Sequence, residues 1–200
     1  MSTTAPSNPG PFTAAMIQLR TGLLPERSLE QAIPLIRQAK ANGADYVLTP
    51  EVSNMMQENR KALFEHLAIE DDDQSLKAYR ELARELKIHL HIGSLALKAS
   101  AERAVNRSFL IGPDGGILAR YDKIHMFDID LGNGESYRES ANYQPGEVAV
   151  VADLPWGRIG LTICYDLRFP ALYRALAESG AIFLTVPAAF TQTQTVAERR

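Results

Sequence analysis

The chain has 200 residues, of which 46% are hydrophobic and 22% are charged. These proportions exclude a disordered, collagen-like or coiled-coil protein, and the length allows one large domain with a substantial core. The formal net charge of −3 disfavours a nucleic-acid partner, because tight binding to nucleic acid requires a basic surface.

The cysteine count and the distribution of apolar residues restrict the cellular setting. Cys164 is the one cysteine, which excludes an internal disulfide and Cys-rich zinc sites and favours a reducing compartment. The N-terminal residues have neither the basic stretch nor the apolar run of a signal peptide, and no window reaches the roughly 18 apolar residues of a membrane span. We therefore expect a cytoplasmic protein without a membrane partner.

The first half of the chain alternates between predicted strands and helices. Residues 1–11 are rich in Ser, Thr and Pro and are predicted to form a flexible tail. Pro34 predicts either a kink or a late start in the first helix. Apolar periodicity predicts, in order, a strand at 12–19, a helix at 27–40, a strand at 45–48 and a helix at 74–86.

The second half is richer in strands. Residues 122–145 have little periodicity and are predicted to form a long loop, and loops of this length are usually functional. A helix is predicted at 167–178. The predicted strands span 88–93, 95–98, 105–111, 116–121, 148–153, 157–163 and 181–186. This order of elements predicts an α/β layered protein with some antiparallel hairpins.

Cys164 lies where a predicted strand meets a predicted helix. A residue at such an elbow projects from the sheet edge, near backbone N–H groups that lower the pKa of a thiol and can hold an oxyanion. This position favours a nucleophile, and the alternative is a buried cysteine that acts as a small hydrophobe. A nucleophilic thiol needs a base, and the candidate histidines are His66, His89, His91 and His125.

Glu51 and Lys123 are further candidates, because each follows a predicted strand. Glu51 emerges from an apolar segment, so partial desolvation would raise its pKa towards the range in which a general base works. Lys123 could stabilise an oxyanion and favour the thiolate. Taken singly, each could equally be an ordinary exposed side chain. Together with Cys164 they follow the carboxyl ends of strands, where ligands bind in open α/β sheets.

Three separate motifs resemble those of the nitrilase superfamily of carbon–nitrogen hydrolases, in the right order. They are Leu48-Thr49-Pro50-Glu51, Arg120-Tyr121-Asp122-Lys123-Ile124-His125-Met126-Phe127-Asp128 and Gly160-Leu161-Thr162-Ile163-Cys164-Tyr165-Asp166-Leu167-Arg168-Phe169-Pro170. The third motif is most similar to the Nit-type amidase branch. The resemblance covers residues 12–190, which we interpret as one carbon–nitrogen hydrolase domain. It implies an α-β-β-α sandwich that dimerises through its helices.

The resemblance also implies the roles of individual residues. Glu51 would be the base, Lys123 would stabilise the oxyanion and the intermediate, and Cys164 would be the nucleophile. Glu139 matches the place of a second glutamate, because it precedes Ser140 ahead of a Pro-Gly pair, and Glu135 is the alternative.

Three further residues are candidates for substrate contact. The backbone N–H of Tyr165 would help to hold the oxyanion. Arg168 could meet a substrate carboxylate, and so could Arg174, which could equally be an exposed helix residue. The resemblance implies no metal and no cofactor. We therefore expect water and a small amide as the reactants and a homodimer or higher homo-oligomer as the assembly.

The resulting hypothesis is a hydrolase that cleaves the C–N bond of small carboxylate-bearing amides through a thioester on Cys164 and releases ammonia. The resemblance implies ω-amides of dicarboxylic acids or deaminated glutathione as substrates. A nitrilase, a non-catalytic relative and a metal hydrolase that uses His89 and His91 are the alternatives. Residues 191–200 are polar and depart from the family pattern, so we expect an atypical tail and a domain that is incomplete at its C-terminus.

Overall fold

Four helices and ten strands form in the described part of the chain. The computed structural model describes residues 10–57, 59–130 and 136–190. The helices are Pro25–Ala41 (α1), Arg60–His66 (α2), Gln74–Leu86 (α3) and Pro170–Glu178 (α4). The strands are Ala14–Met16 (β1), Tyr46–Leu48 (β2), His89–Lys98 (β3), Ala104–Ile111 (β4), Ile117–Asp122 (β5), Asp128–Asp130 (β6), Ser136–Arg138 (β7), Val150–Leu154 (β8), Gly157–Leu161 (β9) and Phe183–Thr185 (β10).

The strands form two main sheets and one short hairpin. The larger sheet has the order β1-β2-β3-β4-β5, the smaller one has the order β10-β9-β8, and β6 pairs with β7. In the larger sheet β1, β2 and β3 run parallel, while β4 and β5 are joined as antiparallel neighbours. In the smaller sheet β10 is parallel to β9 and β8 is antiparallel to it. The predicted α/β architecture with antiparallel hairpins is confirmed.

Apolar side chains form a core layer on each face of the larger sheet. On one face, α1 and α3 pack against β2, β3 and β4 through Ala32, Ile36, Tyr79 and Leu82. The opposite face packs on the smaller sheet. The buried residues of that layer are Tyr46, Leu48, Leu110 and Tyr121 from the larger sheet and its edge, and Leu154, Ile159, Leu161 and Ile163 from the smaller sheet and its edge.

The fourth helix completes the sandwich. α4 packs closely on the outer side of β9, because a Cβ atom at Gly160 would lie only 3.2 Å from the Cβ of Leu176. The resulting order of layers is helix, sheet, sheet, helix, which is the predicted α-β-β-α sandwich. In the described part of the chain, no helix has the length and apolar character needed to cross a membrane.

Strand β3 runs without a break from His89 to Lys98, where the sequence predicts two strands. Its pairing with β4 shifts register between Ile92 and Leu95. Gly93 lies at this shift, and a Cβ atom there would come within 2.1 Å of the Thr49 carbonyl oxygen. The glycine therefore allows the segment before Glu51 to approach the strand and does not end it.

Local backbone chemistry moves two helix starts away from their predicted positions. α1 begins at Pro25 and continues through Pro34, so the predicted late start is wrong. A proline fits the first turn of a helix because its missing N–H has no helical partner there. α4 begins at Pro170, since the residues Cys164–Arg168 form a 3-10 turn instead of a first helical turn.

Two short features lie where the sequence predicts no element. α2 has seven residues, too few to show an apolar period, and the Asn59 side chain caps it by accepting from the N–H of Ala62 at 3.0 Å. The hairpin of β6 and β7 lies inside the predicted loop at 122–145. The predicted tails lie outside the described residues, apart from Gly10 and Pro11.

Candidate active site

The topology brings the ends of several strands to one edge of the sandwich. Glu51 follows the end of β2 at Leu48, and Lys123 follows directly after β5. β5 is antiparallel to β4, which is antiparallel to β3, so β5 runs in the same direction as β2 and β3. Cys164 follows the end of β9 in the facing sheet, after Leu161.

These residues surround a cavity of about 560 Å³. Its wall includes six of the candidates that the sequence singles out, namely Glu51, Lys123, Glu139, Cys164, Tyr165 and Arg168. Aromatic and aliphatic side chains, among them Phe127 and Tyr137, form much of the remaining wall, together with Ser136, Arg138 and Asn142. The volume suits a small organic molecule, and the mixture of apolar surface with a few polar groups is typical of a ligand site.

Lys123 links the buried carboxylate of Glu51 and the partly buried carboxylate of Glu139. Its Nζ atom lies 2.9 Å from Oε1 of Glu51 and 2.9 Å from Oε2 of Glu139. The side chains of Lys123 and Glu51 are 2% and 6% exposed, so little solvent screens the pair. Burial alone would lower the pKa of Lys123, but the two carboxylates raise it above its ordinary value. The Lys123 side chain is therefore positively charged at neutral pH, and it lines the cavity.

Backbone groups hold the two glutamates in place. The N–H of Ala189, in the segment after β10, donates to Oε2 of Glu51 at 3.0 Å. The N–H of Phe127, in the segment after Lys123, donates to Oε2 of Glu139 at 2.7 Å. Each carboxylate is thus fixed by the lysine and by a main-chain donor. The alternative second glutamate, Glu135, lies outside the described residues.

Cys164 lies on a tight turn between β9 and α4. Its φ angle is +47°, a left-handed conformation that is uncommon for a residue with a side chain and often marks a functional position. Its N–H donates to the carbonyl oxygen of Pro187 at 2.9 Å, which ties the turn to the segment after β10. The thiol is half-buried and borders the cavity.

The pKa of the thiol differs from the sequence-based expectation. Burial raises the pKa of Cys164 to about 12, and the nearby Glu51 carboxylate adds to the rise, while Lys123 acts in the opposite direction. The expectation that the elbow lowers this pKa is wrong, because desolvation and a facing carboxylate outweigh the cation. A thiolate at this position therefore needs a base, and Glu51 is beside it.

The formal charge of the site explains how Glu51 could take the Cys164 proton. With a neutral thiol, two ionised carboxylates and one ammonium leave the buried cluster with a formal charge of −1. Transfer of the Cys164 proton to Glu51 leaves that charge unchanged. A buried site tolerates this internal transfer better than the loss of a proton to solvent, which would add a second uncompensated charge.

Asp166 is a buried organising residue to which the sequence assigns no role. Its carboxylate accepts from the hydroxyl of Tyr121 at 2.6 Å and from the N–H groups of Ile163 and His125 at 2.9 and 3.0 Å. It therefore joins β5, the segment after Lys123 and the cysteine turn. The ring of His125 also contacts Asp166 and stacks on Phe169 with 3.6 Å between centroids.

The histidines do not take the position of the base. No histidine is among the residues that line the cavity in the described chain. His125 is bound to Asp166, and His89 packs edge-on against Trp156. Both ring nitrogens of His91 are engaged, by the Tyr46 hydroxyl and by the Ser108 hydroxyl. The metal site considered for His89 and His91 is contradicted, since His91 has no free nitrogen to offer.

Comparison with known proteins agrees with this geometry. The sequence model of the carbon-nitrogen hydrolase family matches residues 13–199. The chain belongs to that family. A deaminated glutathione amidase of Yersinia enterocolitica is 41% identical over 182 residues, which are 89% of this chain and 63% of the relative. The omega-amidase NIT2 of Homo sapiens is 35% identical, over 91% of this chain and 65% of the relative. The chain therefore spans slightly less than two thirds of the length of these relatives.

Solved structures of family members share the fold. The NitFhit protein of C. elegans superposes with a TM-score of 0.82 at 31% identity, over 93% of this chain and 45% of that chain. An amidase from Nesterenkonia sp. gives a TM-score of 0.78 at 27% identity, over 91% of this chain and 66% of that chain. A mutant of that amidase carries a covalent adduct of the acetamide moiety of fluoroacetamide at its active-site cysteine.

Proposed function

We propose that this carbon-nitrogen hydrolase family member is a cysteine-dependent amidase that acts on small carboxylate-bearing amides and releases ammonia. One observation carries the proposal. Cys164 borders a cavity together with Glu51, Lys123 and Glu139, and the Lys123 ammonium contacts both carboxylates. A nucleophile, a base and a cation at one point are the groups that amide hydrolysis through a covalent intermediate requires.

Acylation follows from the arrangement of these groups. Glu51 takes the Cys164 proton as the sulfur attacks the amide carbonyl carbon and a C–S bond forms. Lys123 and the backbone N–H of Tyr165 stabilise the oxyanion of the tetrahedral intermediate. Glu51 then gives its proton to the leaving nitrogen, the C–N bond breaks, and ammonia departs from a thioester on Cys164.

Deacylation uses the same base a second time. Glu51, with Glu139 held beside it on Lys123, takes a proton from water as the oxygen attacks the thioester carbon. The C–S bond breaks, the carboxylic acid leaves, and the proton returns from Glu51 to the Cys164 sulfur. Each proton that leaves a reacting atom therefore passes through one carboxylate, whose position is fixed by three hydrogen bonds.

The substrate class is supported by the cavity and by the relatives. The relatives named above are a deaminated glutathione amidase and an omega-amidase. Arg168 borders the cavity and offers a planar guanidinium, the group best suited to a carboxylate. We therefore assign Arg168 to the substrate carboxylate, and residues 12–190 to the hydrolase domain. A cytoplasmic location and a homodimer or higher homo-oligomer complete the proposal.

Ammonia release from a panel of small amides tests the proposal. The panel pairs each amide that carries a distal carboxylate with an uncharged analogue and with the corresponding nitrile. We expect turnover of the carboxylate-bearing amides, no turnover of the nitriles, and complete loss of turnover in Cys164→Ala with an unchanged thermal unfolding curve. Turnover by Cys164→Ala, or turnover of nitriles in preference to amides, would contradict it.

A pair of arginine variants tests the assignment of Arg168. Arg168→Leu is expected to raise KM for a carboxylate-bearing amide about tenfold, the loss of roughly one charge-assisted hydrogen bond, with little change for the uncharged analogue. Arg174→Leu is the matched control, since Arg174 is exposed on α4 outside the cavity wall. Equal effects of the two substitutions would remove Arg168 from substrate binding.

A further inference from the structure

Asn106 contacts both glutamates of the site. It lies on β4, is 1% exposed, and its Nδ2 atom donates to Oε1 of Glu51 at 3.0 Å and to Oε1 of Glu139 at 3.4 Å. Lys123 reaches the same two oxygens, at 2.9 and 3.1 Å. The carboxylates are therefore held between an ammonium and an amide nitrogen.

The orientation of the amide is fixed by its neighbours. The reversed orientation would turn the Asn106 carbonyl oxygen towards two carboxylates, which repel it. In the orientation that the contacts require, Oδ1 is buried and has no hydrogen-bond partner among the described residues. An unsatisfied buried acceptor destabilises a fold, so this asparagine is not explained by stability alone.

The main chain of the same residue supports the lysine. The carbonyl oxygen of Asn106 accepts from the N–H of Lys123 at 2.9 Å. Asn106 thus touches all three charged residues, although it does not line the cavity itself. A neutral donor suits this position, because it stabilises both carboxylates without adding a second cation that would hold the thiol as a thiolate.

We propose that Asn106 is a positioning residue that holds Glu51 and Glu139 side by side on Lys123 and keeps Glu51 in place to accept the Cys164 proton. This inference rests on the proposed amidase function. Asn106 acts through Glu51 and touches no reacting atom. Its substitution should therefore affect proton transfer and not substrate binding.

The pH profile of kcat/KM tests this role. Asn106→Leu keeps the branched shape and the number of side-chain heavy atoms but removes the donor to the two glutamates. We expect kcat to fall at least about tenfold at neutral pH, the acid limb of the profile to move up by about one pH unit, and KM to change little. Asn54→Leu is the matched control, since Asn54 is equally buried but bonds to the main chain of Ala96.

The control variant separates positioning from stability. Asn54→Leu should lower the unfolding temperature and leave the pH profile in place. Should Asn106→Leu fail to fold, Asn106→Ala is measured in its place, because it adds no atoms to the core. An unshifted acid limb and a kcat within about threefold of the parent, in a folded Asn106 variant, would overturn the proposal.

Alkylation of the thiol gives a readout that does not depend on amide turnover. Cys164 is the one cysteine, so the rate of its reaction with iodoacetamide at each pH reports this thiol alone. The acid limb of that rate should move with Asn106→Leu and not with Asn54→Leu. Should the parent hydrolyse no amide, a shifted alkylation profile would support Asn106 while the proposed function fails, and an unshifted profile would remove both.

Discussion

Two polar clusters meet strand β4 at residues two positions apart, and they differ in charge. One contains charged groups and the other is neutral. The site cluster contains Asn106 with Glu51, Lys123 and Glu139, and it borders the cavity. We call the second one the inner cluster; it consists of Ser108 with Tyr46 and His91, deep between the sheets. Because residues i and i+2 of a strand share a face, both clusters occupy the same side of the sheet.

The inner cluster is neutral and has a single consistent set of proton positions. The Ser108 hydroxyl donates to the carbonyl oxygen of Ile92 at 3.0 Å, so the Nε2–H of His91 donates to Ser108 at 2.7 Å. The Tyr46 hydroxyl then donates to Nδ1 of His91. Burial lowers the pKa of His91 to about 3 and raises that of Tyr46 far above its ordinary value.

The difference between the clusters lies in the position along the strands. The inner cluster lies within β2, β3 and β4, where neutral side chains satisfy one another. In the site cluster Asn106 lies within β4, but its three charged partners lie beyond the ends of β2, β5 and β7, where the chain leaves the sheet and a cavity begins. The groups of the site cluster that can exchange a proton therefore border the cavity, while the inner cluster is kept neutral.

The largest effect is expected from removal of the cation of the site cluster. Lys123→Met leaves the buried carboxylate of Glu51 and the partly buried one of Glu139 without a counter-charge, so we expect the free energy of unfolding to fall by about 3–5 kcal/mol. Amide turnover should fall about 1000-fold or more, because the oxyanion loses its charged donor. Denaturant unfolding and ammonia release measure the two effects.

The control for this variant is an exposed lysine. The side chain of Lys61 is 87% exposed, so Lys61→Met should change the free energy of unfolding by no more than about 0.5 kcal/mol. If Lys123→Met is as stable and as active as Lys61→Met, the lysine does not bind the two glutamates in solution.

A smaller effect is expected when the inner cluster loses one hydroxyl. Tyr46→Phe leaves Nδ1 of His91 without a donor, which should lower the free energy of unfolding by about 1–3 kcal/mol. Turnover by the folded enzyme should stay within about threefold of the parent, because this cluster touches no part of the cavity. A large loss of kcat with little loss of stability would show that the two clusters act as one network.

The smallest effect is a dependence of stability on pH. Since the pKa of His91 is about 3 in the folded chain against 6.5 ordinarily, the unfolded chain binds the extra proton first as pH falls. The contribution of His91 to the free energy of unfolding is complete well above pH 6.5. It is lost as the pH falls towards 3, by about 1 kcal/mol between pH 7 and pH 5.5. Urea unfolding of the parent and of His91→Gln should differ in this slope.

A steeper fall in the parent than in His91→Gln is the expected result. Equal slopes in the two proteins would mean that another group controls stability in this range. The slopes of the free energy of unfolding against pH are compared, and not its absolute values. His91→Gln also changes the packing of the inner cluster and so lowers stability at every pH.

Elements with a clear apolar period could be predicted from the sequence, and those set by local contacts could not. Helix α3 was predicted at its observed bounds, because one apolar face and the cap at Asp73 define it. The short helix α2 and the hairpin of β6 and β7 have too few residues for a period. The break predicted within β3 fails because Gly93 serves a close backbone contact, which no local pattern reveals.

The same division applies to the candidate site. Glu51, Lys123 and Cys164 follow strand ends, so pattern and family motifs could select them together. Asn106 gave no such signal, because it is an ordinary residue within a strand and its partners are 55 and 33 residues away. The raised pKa of Cys164 also depends on burial and on a facing carboxylate, which only the folded chain provides.

The central claim is that Cys164 carries the acyl group during amide hydrolysis. Acid-quenched samples of the enzyme during turnover, analysed by mass spectrometry of the peptide that contains Cys164, test it most directly. The account predicts an adduct with the mass of the substrate less ammonia, and loss of ammonia release in proportion to prior carboxamidomethylation of Cys164. Ammonia release that continues undiminished after Cys164 is fully carboxamidomethylated, with no adduct on that peptide, would contradict it.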